Sequence, residues 1–156
     1  DWGDRLYCYN VSFEEFAEEM SEDEETYDLI ISNPPFYTDD FKSEDKNRNT
    51  ARFESSLSFE NLLDGVAKLL SENGVFSVIV PKKEENHFIN LAKTKQLFLQ
   101  RICEVQGNSN SEVKRVLMEF NKTSCEIKKE HLIIEHSRHN YTEDYIKLTK
   151  NFYLKM

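Results

Sequence analysis

Tyr27-Asp28-Leu29-Ile30-Ile31-Ser32-Asn33-Pro34-Pro35-Phe36 joins a short apolar run to an Asn-Pro-Pro-Phe tetrapeptide. Leu29, Ile30 and Ile31 form a short continuous apolar run, as expected of a strand buried on both faces of a parallel sheet. Pro34 and Pro35 end it, because neither carries a backbone donor and each fixes φ; Asn33 is biased to an extended conformation by the proline that follows. A stiff platform is therefore expected at the carboxyl end of a strand, where open α/β sheets bind their ligands. On it sit an amide, carbonyl acceptors and the ring of Phe36.

That set of groups suits a planar, amino-bearing ligand such as a nucleobase. The Asn33 side-chain carbonyl and the Pro34 backbone carbonyl can both accept hydrogen bonds from an exocyclic NH2, and Phe36 offers a stacking face. Two acceptors that favour a pyramidal nitrogen would localise its lone pair toward an electrophile, which is stabilisation of the transition state over the ground state. The plainer alternative is a strand followed by a Pro-Pro turn with Phe36 tucked into the core.

The motif resembles the catalytic motif of S-adenosylmethionine-dependent amino-methyltransferases. The likeness continues through Ala51-Arg52-Phe53-Glu54-Ser55-Ser56-Leu57, through Gly74-Val75-Phe76-Ser77-Val78-Ile79-Val80-Pro81, and into the tail from Asn140 to Met156. Together these segments resemble the bacterial tRNA (adenine-N6)-methyltransferases that act on adenine-37, beside the anticodon of a valine tRNA. The resemblance implies a Rossmann-like, doubly wound α/β methyltransferase sheet and catalytic residues Asn33, Pro34, Pro35 and Phe36. It also implies S-adenosylmethionine as cofactor, contacted by Asn33 and Ser12, and tRNA as partner. Ser12 stands where such enzymes usually carry an Asp toward the cofactor's adenine, and a hydroxyl bonds more weakly there than a carboxylate.

The rest of the cofactor cradle is not legible. Nucleotide sites in doubly wound sheets use a glycine-rich turn after the first strand, and the four glycines here, Gly3, Gly65, Gly74 and Gly107, form no G-x-G. Residues 1–156 are accordingly expected to be the carboxy-terminal part of a single methyltransferase domain, with the amino-terminal cofactor-binding strands missing and with no activity alone. An exposed sheet edge left by those strands is expected to favour self-association. Guanine-N2 methylation of ribosomal RNA and glutamine methylation in proteins share the tetrapeptide and stand as alternatives. A non-catalytic RNA-binding or interaction domain is a further one.

The loop from Tyr37 to Ser56 interleaves Lys42, Lys46, Arg48 and Arg52 with Tyr37, Phe41 and Phe53. Basic residues among aromatics suit phosphates and splayed nucleotides, and Phe36, Tyr37, Arg48 and Arg52 are the expected substrate contacts. A solvated loop is the alternative, since Asp39, Asp40, Glu44 and Asp45 nearly neutralise it. Lys82-Lys83, just past another strand end, would add phosphate contacts, whereas Lys114-Arg115 and Lys128-Lys129 read as ordinary surface.

The formal charge of −9 is local. Residues 1–28 hold eleven acids and one base, and residues 29–156 hold eighteen acids and nineteen bases. With 38% apolar residues the chain can supply a core, and no run approaches membrane-spanning length. Cys8, Cys103 and Cys125 show neither CxxC nor metal spacing, so free thiols and a cytoplasmic location are expected, with no metal. Strands are expected at 5–10, 28–32, 75–80, 98–106, 114–121 and from Ile127 to Glu135. Helices are expected at 12–20, 59–71 and 84–95, and a closing helix within 142–154.

Overall fold

The computed structural model describes residues 3–34 and 57–153. Helix α1 (Phe13–Glu22) leads into strand β1 (Tyr27–Ser32), and α2 (Phe59–Leu69) leads into β2 (Leu70–Pro81). A single 3-10 turn at Lys82–Glu84 opens α3 (Glu85–Thr94), after which come β3 (Phe98–Gln106), β4 (Val113–Asn121) and β5 (Lys128–Ile133). The chain closes with the short strands β6 (Glu135–Ser137) and β7 (Asn140–Tyr141) and helix α4 (Glu143–Thr149).

The five main strands form one sheet in the order β1-β2-β4-β3-β5. β1 is parallel to β2 and β5 to β3, while β4 runs antiparallel to both β2 and β3. Consequently β1, β2, β3 and β5 all end at the same edge of the sheet. Period-2 alternation decides which side chains meet the helices. Phe76, Val78 and Val80 of β2 and Val116, Met118 and Phe120 of β4 are buried on the helix side. They pack with Leu62, Leu63, Val66, Phe88 and Ala92 of α2 and α3 into one apolar core. Phe88 is the hub of its aromatic part, with ring centroids 4.9 Å from Phe59, 5.8 Å from Phe120 and 6.4 Å from Phe76.

Local chemistry sets the helix starts. Ser12 caps α1 with a reciprocal box: its Oγ accepts the Glu15 N–H at 3.1 Å, and the Glu15 carboxylate accepts the Ser12 N–H, also at 3.1 Å. Ser58 caps α2 by accepting the Asn61 N–H at 3.0 Å. The two helices lie close because Gly65 faces Phe13 and Ala17; a Cβ there would come within 2.8 Å of Phe13 Cζ and 3.1 Å of Ala17 Cβ. Asn61–Glu14 and Lys68–Glu18 contacts flank that approach.

Three expectations need correction. Residues 6–10 carry no strand, and Leu6, Tyr7 and Tyr9 are exposed. In the general doubly wound order a third strand is separated from the fourth by two others, and no strand among the described residues offers this segment a ladder. Tyr9 instead packs against Phe16, with tilted rings whose centroids are 5.1 Å apart. Strand β2 begins at Leu70 rather than near Val75, since Leu70 pairs with Tyr27 across an irregular register. Finally, β1 is buried on one face only: Ile30 packs against the core, whereas Leu29 and Ile31 are 56% and 73% exposed. Among the described residues, α1, α2 and α3 all pack on the first face, and α4 is the helix that lies on the second, near β5.

Candidate functional site

Asn33 follows the last residue of β1, in register one step beyond the Ser32–Val78 pair. It is exposed, and Pro34 directly behind it is buried. A buried proline holds the chain's exit direction while the preceding amide side chain stays open to a ligand. Asn33, Ile31 and Ser32 form one wall of a concavity of about 680 Å3 on the second face of the sheet. Its floor is Ser77, Ile79, Cys103 and Leu117, and Asp144 and Leu148 of α4 reach in from the opposite side. The tail that resembled the tRNA enzymes in sequence therefore contributes to the same hollow as Asn33. Thr142 fixes it there by accepting the Tyr145 N–H at 3.2 Å and donating to the Ile133 carbonyl at 2.5 Å.

The floor changes character across the sheet. Near β1 it is apolar; near β5 it carries Arg101, which donates to Glu130 at 2.6 Å and to Glu119 at 3.1 Å. Those bonds hold the guanidinium pKa above its ordinary value, the Glu130 contact first. Glu130 is pushed down by hydrogen bonds from Lys128 and Arg101. Burial, followed by the nearby Glu130 charge, raises the Cys103 thiol, so this cysteine is disfavoured as a thiolate. Sequence reading missed this cluster, whose members come from three successive strands that meet only through the order and register of the sheet. Alternation on β4 was the available signal.

The other expected site residues are distributed as follows. Ser12 does not line the concavity, and its hydroxyl serves the α1 cap, donating to Glu15 Oε2 at 3.0 Å as well as accepting the Glu15 N–H. One lone pair is left to accept a further bond. Pro35, Phe36, Tyr37, Arg48 and Arg52 lie outside the described residues. Lys82 corrects the expectation of a phosphate contact: its ammonium bonds Glu104 at 2.5 Å and Glu85 at 2.6 Å, which raises its pKa and lowers that of Glu104. Two carboxylates already match its charge, so Lys82 ties the end of β2 to β3 and α3. The three cysteines are free, and among the described residues no cluster of His, Cys, Asp and Glu is arranged to hold a metal. Among them, too, no helix is long and apolar enough to cross a membrane.

A sheet of this order, ending in an amide over a buried proline, can be compared with known proteins. The profile of the Eco57I restriction-modification methylase family matches residues 6–105, well over half the chain and including β1 and Asn33. The chain belongs to this family. Among its relatives, a protein of Christiangramia forsetii named tRNA1(Val) (adenine(37)-N6)-methyltransferase is 47% identical over 156 residues, covering 100% of this chain and 65% of that protein. Proteins of the same name from Flavobacterium johnsoniae and Bacteroides fragilis are 48% and 40% identical, each covering 99% of this chain and 65% of its own length. The chain thus spans just under two thirds of these relatives.

Solved structures agree on the fold. A predicted O-methyltransferase from Agrobacterium tumefaciens superposes with a TM-score of 0.56 at 16% identity, covering 80% of this chain and 51% of the other. The M1.HpyAVI–SAM complex gives 0.51 at 12% identity, covering 74% and 55%. The Rossmann-like methyltransferase class implied by the resemblance is the class observed.

Proposed function

We propose that the protein containing this chain transfers a methyl group from S-adenosylmethionine to the exocyclic N6 of an adenine in tRNA, adenine-37 of a valine tRNA. The observation that supports it most is the exposed Asn33, held over buried Pro34 at the ligand edge of a methylase-family sheet. Similarity over the full chain to relatives named for that reaction supports the choice of substrate. The described residues fit the acceptor side of such a site. Asn33 presents a carbonyl to an amino group, and the apolar part of the concavity gives a desolvated wall beside it. They do not fit the whole cofactor, because no G-x-G turn occurs in the 156 residues and Ser12 is engaged in a cap.

When bound, S-adenosylmethionine supplies the electrophilic methyl group. The protein's own contribution is to hold the base, which must leave its stack to be reached, and to direct the nitrogen lone pair. Asn33 and the Pro34 carbonyl accept the two N–H groups, and Phe36 and Tyr37 stack against the base. Arg48 and Arg52 meet phosphates. The proton released from nitrogen goes to solvent, so no strong general base is required. Among the described residues β1 pairs with β2 alone, and that edge position also supports self-association of these 156 residues.

Asn33→Ala in the full-length protein tests the reading. Loss of one preorganised hydrogen bond should slow single-turnover methyl transfer to the tRNA by roughly 2.7–4 kcal/mol of barrier, with tRNA affinity little changed. A variant within about threefold of wild type would show the amide to be structural.

A further inference from the structure

The edge of the sheet that carries Asn33 continues to the far side, where β5 does not stop with β3. The Ile134 N–H donates to the Gln106 carbonyl at 2.9 Å and the Glu135 N–H to the Gly107 carbonyl at 3.0 Å, so the strand runs on as β6 beyond the last residue of β3. It then folds back on itself as β7, with Ser137 opposite Asn140 and the Thr142 N–H donating to the Ile134 carbonyl at 3.0 Å. The result is a hairpin projecting from the ligand edge.

Its tip is polar and held in shape. His136, Ser137, Arg138, His139 and Asn140 are all exposed. His139 sits at φ 65, in the left-handed region where a non-glycine residue is uncommon, and its N–H donates to the Glu135 carboxylate at 3.2 Å. Glu135 is thereby engaged by the hairpin's own backbone, and Arg138 makes no ion pair with any described residue. Beside the hairpin, exposed Lys114 and Arg115 open β4, with Arg115 opposite Val105 on one side and Pro81 on the other. Glu112 is an exposed acid of the same edge and Glu84 a half-buried one, while Glu104 and Glu85 are bonded to Lys82.

We infer that the β6–β7 hairpin is a second RNA-contacting element, with Arg138 on a backbone phosphate and His136 and His139 against the neighbouring nucleotide. This rests on the reading of the protein as an RNA methyltransferase. An exposed guanidinium offers the fork that matches a phosphate, and imidazole rings stack on splayed bases. Position gives the contact its register. β1 and β5 are four strand spacings apart, so the hairpin lies roughly 19 Å from Asn33 at about 4.8 Å per strand. Taking the rise of a DNA strand, about 3.4 Å per nucleotide, as the scale, that distance corresponds to roughly five to six steps. The phosphate met by Arg138 is therefore several nucleotides from the methylated adenine, on the flank of the loop that presents it.

The test is binding of a valine tRNA transcript by the full-length protein across a salt series, for wild type, Arg138→Ala and Arg138→Lys. Arg138→Ala should weaken binding roughly tenfold, as for loss of a charge-assisted bond, and lower the slope of log affinity against log salt by about 0.7–0.9. Arg138→Lys should restore the slope. Unchanged affinity and slope in Arg138→Ala combined with His136→Ala and His139→Ala, at an unchanged melting temperature, would overturn the inference. Salt-dependent tRNA binding that loses slope in Arg138→Ala, in a wild-type protein that methylates no tRNA, would refute the enzymatic reading and support the hairpin contact.

Discussion

Replacing Phe88 with alanine probes the packing that holds the ligand edge in place. Phe88 is fully buried on α3 and touches rings from three other elements or their borders: Phe59 at the start of α2, Phe76 on β2 and Phe120 on β4. Truncating a buried phenylalanine costs about 3–5 kcal/mol through lost transfer energy and the cavity left behind. The edge-on contact with Phe59, at 4.9 Å and 81°, adds about 0.5–1.5 kcal/mol of ring-specific attraction. The other two pairs are tilted and more distant. The loss should therefore fall near the upper end, about 4–5 kcal/mol, against a total stability of roughly 5–15 kcal/mol for a domain. Phe88→Leu keeps most of the volume and should cost about 1–2 kcal/mol. Urea unfolding followed by circular dichroism measures both. A Phe88→Ala loss below about 2 kcal/mol would mean that the site collapses around the gap, and the assignment of one core joining α2, α3, β2 and β4 would fail.

Lys82→Met should make the acid limb of the stability curve shallower. Glu104 has its pKa lowered, by Lys82 first, from 4.5; its contribution is present above that value and lost as pH falls through the depressed one. Removing the ammonium removes that loss, by about 0.2–1 kcal/mol for so exposed a pair, as read from unfolding at pH 7 and pH 3. The raised pKa of Lys82 acts only at the other end, its contribution being present below 10.5 and lost as pH climbs through the folded value. For self-association, the 156-residue chain should elute well above 18.5 kDa on size exclusion, and Ile31→Lys, a charge on the second face of the sheet at β1, should shift it toward the monomer. A monomeric wild type would refute that.

Much of the second half of the sheet was legible because its strands follow the order that the family resemblance implies, although β3 shows no alternation of burial. The span 98–106 matches β3, and 114–121 differs from β4 by one residue. The start of β2 was not, because Ser71-Glu72-Asn73-Gly74 carries loop chemistry that tertiary pairing overrides. Gly74 permits that pairing, as a Cβ would lie 2.9 Å from the Tyr27 carbonyl oxygen. The position of Asn33 just past the carboxyl end of β1 followed from the apolar run and the proline pair together. Ser12 shows the opposite case: read by analogy as a cofactor contact, it stands in Ser12-Phe13-Glu14-Glu15, a capping-box spacing visible in the sequence. The composition of the concavity was beyond sequence reading, since Asn33, Arg101, Glu130 and Leu148 meet only after the strand order is known.

The strand order also bears on how the chain opens. β3 and β4 are joined by residues 107–112 and pair along nearly their full length, so their ladder closes a short loop. β1 meets β2 only after the chain has travelled from residue 33 to residue 69, and among the described residues β2 is its sole neighbour. A strand with one ladder and a long closing loop opens at the least cost, and its amides exchange with solvent first. Asn33, the residue proposed to hold the target amine, thus sits at the end of the strand expected to open first.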